Sequence, residues 1–145
     1  PGTLFGAGQV EQIGTPHEVY HNPASTFVAS FMGAPPMNLL EARFEDGMVR
    51  INGGTPVMPA PAARTGNVTL GIRPEDVRID DAGDIPFHVD LVEELGAHRL
   101  LHGQLGDQTF SIHAMKDEPA PQGATRLSLI PDNICLFDSE TGKRI

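Results

Sequence analysis

Apolar and polar residues alternate with a period of two along much of the chain after Leu39, which is typical of half-buried β-strands. In LEARFE (40–45), Leu40, Ala42 and Phe44 share one face of such a strand. The same alternation recurs in VTLGI (68–72), IPFHVDLVEELG (85–96), TRLSLIP (125–131) and ICLF (134–137). Each of these segments is predicted to form a strand, and the longest is expected to end at Gly96.

Two dipeptides, Asp46-Gly47 and Gly106-Asp107, stand between predicted strands as two-residue hairpin turns. Across the first turn, apolar residues meet in the expected register. The expected cross-strand pairs are Phe44 with Val49, Ala42 with Ile51, Leu101 with Ile112, and Gly103 with Phe110. About eight to ten short strands in about 105 residues predict a mainly β fold, a small barrel or a sandwich.

The first third of the chain carries helix signals instead. TPHEVY (15–20) contains a capping box, in which the Thr15 hydroxyl accepts a hydrogen bond from the Glu18 amide and the Glu18 side chain reaches back to the Thr15 amide. Pro16 occupies the first helical position, where its missing N–H costs nothing. Pro23 must end this helix. The segment therefore predicts one short helix.

ASTFVASFMG (24–33) predicts a second short helix that stops at Gly33. The residues expected on its apolar face are Ala24, Phe27, Val28 and Phe31. APP (34–36) then breaks the chain before the strands begin. The proline- and alanine-rich segment TPVMPAPAARTGN (55–67) is predicted to be a loop.

The chain has 145 residues and a net charge of −9, with 10 Lys and Arg against 19 Asp and Glu. This length fits one domain, and the acidic balance argues against nucleic acid or an anionic membrane surface as a partner. A single cysteine cannot form an internal disulfide, which favours a reducing cytoplasm. The sequence shows no membrane span and no secretory signal. Because it starts at Pro1, we expect a fragment of a longer protein.

Histidines offer the first candidate chemistry. His17 and His21 lie four residues apart on the first predicted helix, which is the spacing of a metal pair. Pro23 ends that helix and no third ligand follows, so exposed structural side chains are favoured over a metal site. His98 and His102 share a strand face without a cysteine or acidic ligand at zinc spacing, and the same interpretation applies to them.

Catalytic motifs are missing from the sequence. No serine lies in a G-x-S-x-G elbow, and Cys135 lies in an apolar strand, where a free cysteine packs as a small hydrophobe. The adjacent carboxylates Glu93-Glu94 and Asp80-Asp81 point to opposite faces of a strand and do not form an acid/base pair by themselves. No glycine-rich phosphate loop is present, so this chain alone is predicted neither to bind nor to hydrolyse ATP.

The segment GIRPED (71–76) concentrates charge in the middle of the chain. As an active site, it would use Arg73 to bind an anion and Glu75 or Asp76 as a base. As a structural element, it ends the preceding strand, because Pro74 has no N–H for a central ladder. We favour a structural or interface role, and we expect a short strand to resume at Val77.

Longer stretches resemble one protein family. EQIGTPHEVYHNPASTFVASFMGAPPMNLLEA (11–42), VTLGIRPEDV (68–77) and LFDSETGKRI (136–145) are similar to the corresponding motifs of bacterial ABC-importer ATPase subunits of the maltose/glycerol-3-phosphate (ugp-type) family. Within this family, LVEELGAHRLLHGQLGDQ (91–108) and the closing segment resemble the subunits of glycerol-3-phosphate importers. The resemblance covers nearly the whole chain from about Gln9 onward.

The resemblance implies a division into two parts. Residues 1–36 would connect, through two short helices, to an ATPase domain outside this chain, and residues 37–145 would form a TOBE regulatory domain, an OB-like β-barrel. In this family such a domain is not catalytic. ATP and Mg²⁺ would bind to the upstream domain, so this chain needs no cofactor and no metal. The full subunit would be cytoplasmic and peripheral on the inner face of the plasma membrane.

The resemblance also implies partners and regulatory or dimer-interface residues. The partners would be a second copy of the subunit, permease subunits, and a regulatory protein or small-molecule inhibitor, but no nucleic acid. The interface candidates are Pro36, Met37, Asn38, Arg73, Pro74 and Glu75. An alternative is a module that senses phosphate, another oxyanion or the substrate. It rests on a few cations, namely Arg73, Arg99, Lys116 and Arg126.

Overall fold

The computed structural model describes residues 2–6, 9–31, 33, 35–51, 53–118 and 120–145, except for the side chains of residues 2–6, 9–11 and 31. The strands are β1 (Gly2–Gly6), β2 (Gln9–Gly14), β3 (Asn38–Glu45), β4 (Met48–Ile51), β5 (Thr55–Pro59), β6 (Gly66–Ile72), β7 (Val77–Ile79), β8 (Ile85–Glu94), β9 (His98–Leu105), β10 (Gln108–Met115), β11 (Gly123–Leu129) and β12 (Cys135–Asp138). The helices are α1 (Pro16–His21) and α2 (Thr26–Phe31), and single 3₁₀ turns cover Pro74–Asp76 and Pro131–Asn133. No helix in these ranges has the length and apolar character of a membrane span.

The mainly β fold with two short helices is confirmed. One five-stranded antiparallel sheet has the order β12-β6-β3-β4-β5, and a second has the order β10-β9-β8-β11-β7. The second sheet curls until its two end strands, β7 and β10, contact each other. The sheets thus form an OB-like barrel.

The start of α1 confirms one half of the predicted capping box. The Thr15 hydroxyl accepts from the Glu18 amide at 3.1 Å, and Pro16 is the first helical residue. The other half differs, because Glu18 Oε1 accepts from the Thr15 hydroxyl at 3.1 Å rather than from the Thr15 amide. The helix ends at His21, two residues before Pro23.

The predicted apolar face of α2 is partly wrong. Val28 and Ala29 are fully buried, but Phe27 is 40% exposed. The side chain of Phe31 lies outside the described part of the chain. With only six residues, α2 is too short for an apolar stripe to repeat, so period-based prediction is weak there.

Both hairpins adopt the expected register. Phe44 pairs with Val49, and the ladder reaches Arg43 and Arg50, one step short of the predicted Ala42–Ile51 pair. Leu101 pairs with Ile112, and Gly103 pairs with Phe110. At the first turn Asp46 has φ 54° and Gly47 has φ 75°, which are the positive values of a type I′ turn. The Asp-Gly dipeptide is therefore the reason that the register was predictable.

Two regions differ from the sequence prediction. The strands β1 (Gly2–Gly6) and β2 (Gln9–Gly14) pair in antiparallel fashion, and neither strand was predicted. The segment predicted as a loop contains the strand β5, which includes Pro56 and Pro59. Because β5 is the last strand of its sheet, its outer edge needs no amide donors, and proline is tolerated there.

The inward faces of both sheets form one core. The large side chains buried most completely in it are Leu40, Val49, Ile51, Val68, Leu70, Ile72, Leu101, Leu105, Ile112 and Leu127. A smaller cluster of Ala29, Met37, Cys135 and Phe137 joins α2 to β12. Cys135 is 3% exposed and reduced, as expected for a cysteine that packs as a small hydrophobe.

Candidate functional site

The charged segment 71–76 lies where the helices meet the barrel. β6 ends at Ile72, Arg73 precedes the 3₁₀ turn Pro74–Asp76, and β7 starts at Val77. The predicted strand end and turn are therefore confirmed. Arg73 is only 2% exposed, and among the described residues it is the one charged residue that is buried. We treat its surroundings as the candidate functional site.

The Arg73 guanidinium contacts the C-terminal turns of both helices. It donates to the Tyr20 carbonyl of α1 at 2.9 Å and to the Ala29 carbonyl of α2 at 3.4 Å. Its Cζ also lies 4.0 Å from the centroid of the Tyr20 ring, a cation–π contact. The last carbonyls of a short helix have no partner within that helix, and cations stabilise this end. One arginine of the barrel therefore caps both helices.

Burial and neighbouring charges act on Arg73 in opposite directions. Burial lowers the pKa of the guanidinium, whereas Tyr20 and Glu75 raise it. Glu75 is exposed, and its Oε2 accepts a 2.5 Å hydrogen bond from the Tyr20 hydroxyl. Arg73, Tyr20 and Glu75 thus form a chain of contacts from the barrel interior to the surface.

Asp76 ties the same turn to the end of the neighbouring strand β11 and to the 3₁₀ turn that follows it. Its carboxylate accepts from Asn133 Nδ2 at 3.0 Å, and its carbonyl accepts from the Ile130 amide at 3.2 Å. Burial raises the pKa of the Asp76 carboxyl. The side chains of Arg73, Glu75 and Asp76 are therefore engaged in structural contacts. This arrangement supports the structural interpretation over an anion-binding catalytic site.

Tyr20 gives a direct test of this cluster because it is the single tyrosine of the chain. Burial, followed by the hydrogen bond and charge of Glu75, raises the pKa of Tyr20 from 10.0 to about 12. The folded state therefore holds this proton more tightly than the unfolded state. Stability from Tyr20 should be complete below pH 10 and be lost as the pH rises toward 12.

Titration of phenolate absorbance should show this shift. We expect a midpoint near 12 in the folded protein and near 10 in denaturant. Glu75→Gln should lower the folded midpoint, because it removes the acceptor charge, whereas Glu45→Gln, a change at an exposed distant carboxylate, should not. A folded-state midpoint near 10, or no response to Glu75→Gln, would contradict the geometry.

Met37 and Asn38 connect other parts of the fold. Met37 is buried in the small cluster between α2 and β12. Asn38 joins the two sheets: its Nδ2 donates to the Ser111 carbonyl at 2.8 Å, and its Oδ1 accepts from the Ser111 amide at 2.9 Å. Gln108 bonds the backbone of Glu41 similarly, at 2.7 and 3.5 Å. Two side-chain amides thus bridge the outer edge of β10 and β3.

Replacing Asn38 with alanine should weaken the contact between β3 and β10. Loss of the amide leaves the backbone N–H and C=O of Ser111 without these partners, so we expect about 2 kcal/mol of destabilisation. Asn67→Ala is the matched control, because the Asn67 side chain is exposed and its amide oxygen accepts from the surface residue Arg43. Urea unfolding measures both variants. Equal unfolding midpoints for the two variants would show that the contact between Asn38 and Ser111 does not contribute to stability.

The C-terminal segment fastens the start of α2. The Gly142 carbonyl accepts from the Thr26 amide at 2.8 Å, and the Arg144 amide donates to the Ala24 carbonyl at 2.8 Å. Gly142 has φ 74°, and a Cβ there would lie 2.5 Å from Thr26 Oγ1. The backbone amides of Glu140 and Thr141 donate to Asp138 Oδ1 and lower the pKa of its carboxyl. The ending LFDSETGKRI therefore holds the start of α2.

The six predicted interface residues do not share one environment. Arg73, Pro74 and Met37 are buried within this chain, Asn38 is partly buried, and Pro36 and Glu75 are exposed. The buried side chains shape the junction of helices and barrel. A direct role of these residues in a dimer interface stays a prediction.

The structure also brings together side chains that sequence reasoning missed. His102 lies between Ser111 Oγ, 2.9 Å from its Nδ1, and Glu93 Oε1, 2.9 Å from its Nε2. These residues come from three neighbouring strands, and no short motif signals their meeting. The backbone of Ser111 is held by Asn38, so this array serves to pin β8, β9 and β10 together.

An open polar groove of about 850 Å³ lies on the first sheet near the end of the β3–β4 ladder and reaches Asp107 and Gln108 of the second sheet's β9–β10 turn. Its charged lining consists of Arg43, Arg50, Glu41, Glu45, Asp107 and Glu140. Arg43 donates to Asn67 at 3.2 Å, and Arg50 donates to the Gly54 carbonyl at 2.9 Å. The groove carries both signs of charge and so suits a polar ligand.

Comparison with known proteins places these features in families. Residues 33–77 match the family described as the MalK OB fold domain, and residues 70–137 match the family described as the TOBE domain. Three curated relatives are each named sn-glycerol-3-phosphate import ATP-binding protein UgpC. They are 52% identical over 143 residues (Jannaschia sp. strain CCS1), 43% over 145 (Ruegeria sp. strain TM1040) and 42% over 155 (Salmonella typhimurium strain LT2). The alignments cover 98% of this chain but only 41%, 41% and 42% of the relatives.

Proposed function

We propose that this chain, which belongs to the OB/TOBE domain family found at the C-terminal end of ABC-importer ATP-binding subunits, is the regulatory and dimerisation domain of such a subunit. It is non-catalytic on its own, because it matches only the C-terminal OB and TOBE domains and not the ATPase domain. The chain spans about two fifths of the length of the curated relatives it matches. Nucleotide binding and hydrolysis are assigned to the remainder of the subunit.

The observation that carries the proposal is the junction around Arg73. A regulatory domain influences a distant ATPase only when the connection between them transmits force or position. Here both connecting helices end on a buried guanidinium of the barrel, and the start of α2 is held by the C-terminal segment at Gly142 and Arg144. These contacts support a connecting segment, residues 1–36, that moves with the barrel, residues 37–145.

The relatives suggest the substrate and the partners. Their names concern sn-glycerol-3-phosphate import, so we propose the same substrate, or a related glycerophosphodiester or sugar, for the full subunit. Its partners would be a second copy of the subunit and the permease subunits. We therefore propose that the subunit lies in the cytoplasm, peripheral on the inner face of the plasma membrane.

A chimaera tests the proposal. This chain would replace the matching segment of the Jannaschia relative, to which it is 52% identical. In cells that lack their own importer, we expect the chimaera to restore glycerol-3-phosphate uptake and to sediment as a dimer when purified, whereas the relative without this segment should fail. A folded chimaera with intact ATPase activity but no uptake and no dimer would overturn the proposal.

A second candidate is a module that senses a small ligand, and the polar groove of about 850 Å³ favours it. None of the four cations named from the sequence lines this groove. Arg73 is buried under the helices, Arg99 pairs with Glu94 at 2.9 Å, and Arg126 donates to the Gly83 carbonyl. Calorimetric titration with phosphate, molybdate and glycerol-3-phosphate would test it. If none of the three ligands gives a heat of binding, the sensor function is ruled out.

A further inference from the structure

Three side chains with metal-binding atoms lie together on the outward face of the β9–β10 hairpin. His98 belongs to β9, and His113 and Met115 belong to β10. Met115 is directly opposite His98 in the ladder, and His113 is two residue pairs further along, opposite Leu100. Because residues two apart on a strand point to the same face, both β10 side chains lie beside His98.

The hydrogen-bond pattern brings these side chains close. The backbone of Ser111 bonds Asn38 rather than β9, which makes Ser111 opposite His102 a non-hydrogen-bonded pair. By the alternation of an antiparallel ladder, Met115 opposite His98 is also such a pair, with Cα atoms about 4.5 Å apart. The ring centroids of His98 and His113 are 4.7 Å apart, and their planes are tilted by 36°.

The cluster is accessible from solvent. Met115 is 45% exposed, and both histidines are partly exposed. A cavity of about 260 Å³ adjoins it, with His113, Met115 and Glu118 in its lining. Glu118 Oε1 accepts from the Met115 amide at 2.9 Å, and this bond holds the C-terminal end of β10. An ion and a small co-ligand would have room at this position.

We propose that His98, His113 and Met115 form a binding site for a monovalent copper ion. Imidazole and thioether donors together suit Cu(I), which is a soft ion, better than Mg²⁺ or Ca²⁺, which prefer oxygen ligands. A closed zinc site takes four ligands, and the described residues contain no group of three or more His, Cys, Asp or Glu side chains that could hold a metal. The methionine sulfur is therefore the donor that makes the site selective.

Cys135 does not compete for the ion in the folded protein. Its thiol is 3% exposed in the cluster beneath α2, and burial raises its pKa. Thiolate is the form that binds metals, so a buried and protonated thiol is a poor ligand. Copper binding by the folded chain should therefore depend on the hairpin and not on the cysteine.

The test is an anaerobic Cu(I) titration against a chromophoric chelator. We expect one equivalent to bind, and His113→Ala and Met115→Leu should each weaken the affinity about tenfold or more. Met115→Leu should not change the response of the protein to Zn²⁺, since a thioether is not among the ligands that Zn²⁺ takes. His88→Ala is the matched control, because His88 is an exposed strand histidine bonded to Asp90 at 2.9 Å, and it should have no effect.

Nuclear magnetic resonance of the unmodified protein gives a readout that does not depend on variants. Cu(I) should shift the side-chain signals of His98, His113 and Met115, while those of His88 stay in place. The proposal is overturned if the chelator retains all the copper, if these signals do not move, or if Cys135→Ser removes binding.

Discussion

Arg73→Met is expected to release α1 and α2 from the barrel while the barrel itself stays folded. Methionine keeps the apolar stem and removes the guanidinium, so the carbonyls of Tyr20 and Ala29 lose their donor. The cation–π contact with Tyr20 is lost as well. The two buried carbonyls are left without a donor, and a desolvated cation–π contact is lost. Together these changes should reduce the free energy that holds the helices on the barrel by about 3 kcal/mol.

Amide hydrogen exchange is the appropriate measurement, because it separates local opening from global unfolding. In Arg73→Met, the amides of α1 and α2 should exchange about 100-fold faster, which corresponds to this free energy. Amides of β8, β9 and β10 should be unchanged. Arg73→Lys should give an intermediate result, because an ammonium keeps the charge but not the planar, forked donors.

Arg78→Met is the matched control for this experiment. Arg78 is exposed, lies five residues along the same segment, and donates to the Glu75 carbonyl at 2.7 Å rather than to a helix. It should leave the exchange of α1 and α2 unchanged. If Arg73→Met and Arg78→Met gave the same exchange rates, the guanidinium would not hold the helices.

Gly103→Ala is expected to give the largest loss of global stability. A Cβ at this position would lie 1.9 Å from the His88 carbonyl oxygen and 2.9 Å from Phe87 Cζ. Gly103 lies within β9, which is hydrogen-bonded to β8 on one side and β10 on the other, so the clash separates two paired strands. Backbone cannot yield as a flexible side chain does, and we expect at least about 3 kcal/mol of destabilisation.

Gly96→Ala, in the turn between β8 and β9, is the control. Gly96 has φ 85° with open space around it. An alanine there should therefore cost only the strain of a positive φ, about 1 kcal/mol. Urea unfolding of both variants separates steric clash from backbone strain. A Gly103→Ala midpoint as high as that of Gly96→Ala would mean that β8 and β9 are not packed as described.

The strands and hairpin registers were predictable because local chemistry determines them. Asp46-Gly47 requires positive φ values that few other dipeptides adopt, and alternation fixes which side chains face the core. β5 was missed because its prolines usually signal a loop, and only its edge position in the sheet makes them acceptable. Sequence alone does not say which strand will be at an edge.

The candidate site was predictable only in part. The turn at Pro74 follows from the missing N–H of proline, but the burial of Arg73 does not, since arginine is mostly exposed. Its partners Tyr20 and Ala29 are 53 and 44 residues away in sequence. The Asn38–Ser111 contact spans 73 residues. Contacts of this range depend on tertiary packing, which no local motif encodes.

The role proposed for Arg73 in transport is tested most directly by glycerol-3-phosphate uptake in the chimaera with the Jannaschia relative. If the barrel acts on the ATPase through helices held by Arg73, Arg73→Met should abolish most uptake, while Arg78→Met should leave it intact and both proteins should be expressed equally. If Arg73→Met transports as well as the unmodified chimaera, although hydrogen exchange shows its helices released, the junction is not the connection through which this domain works.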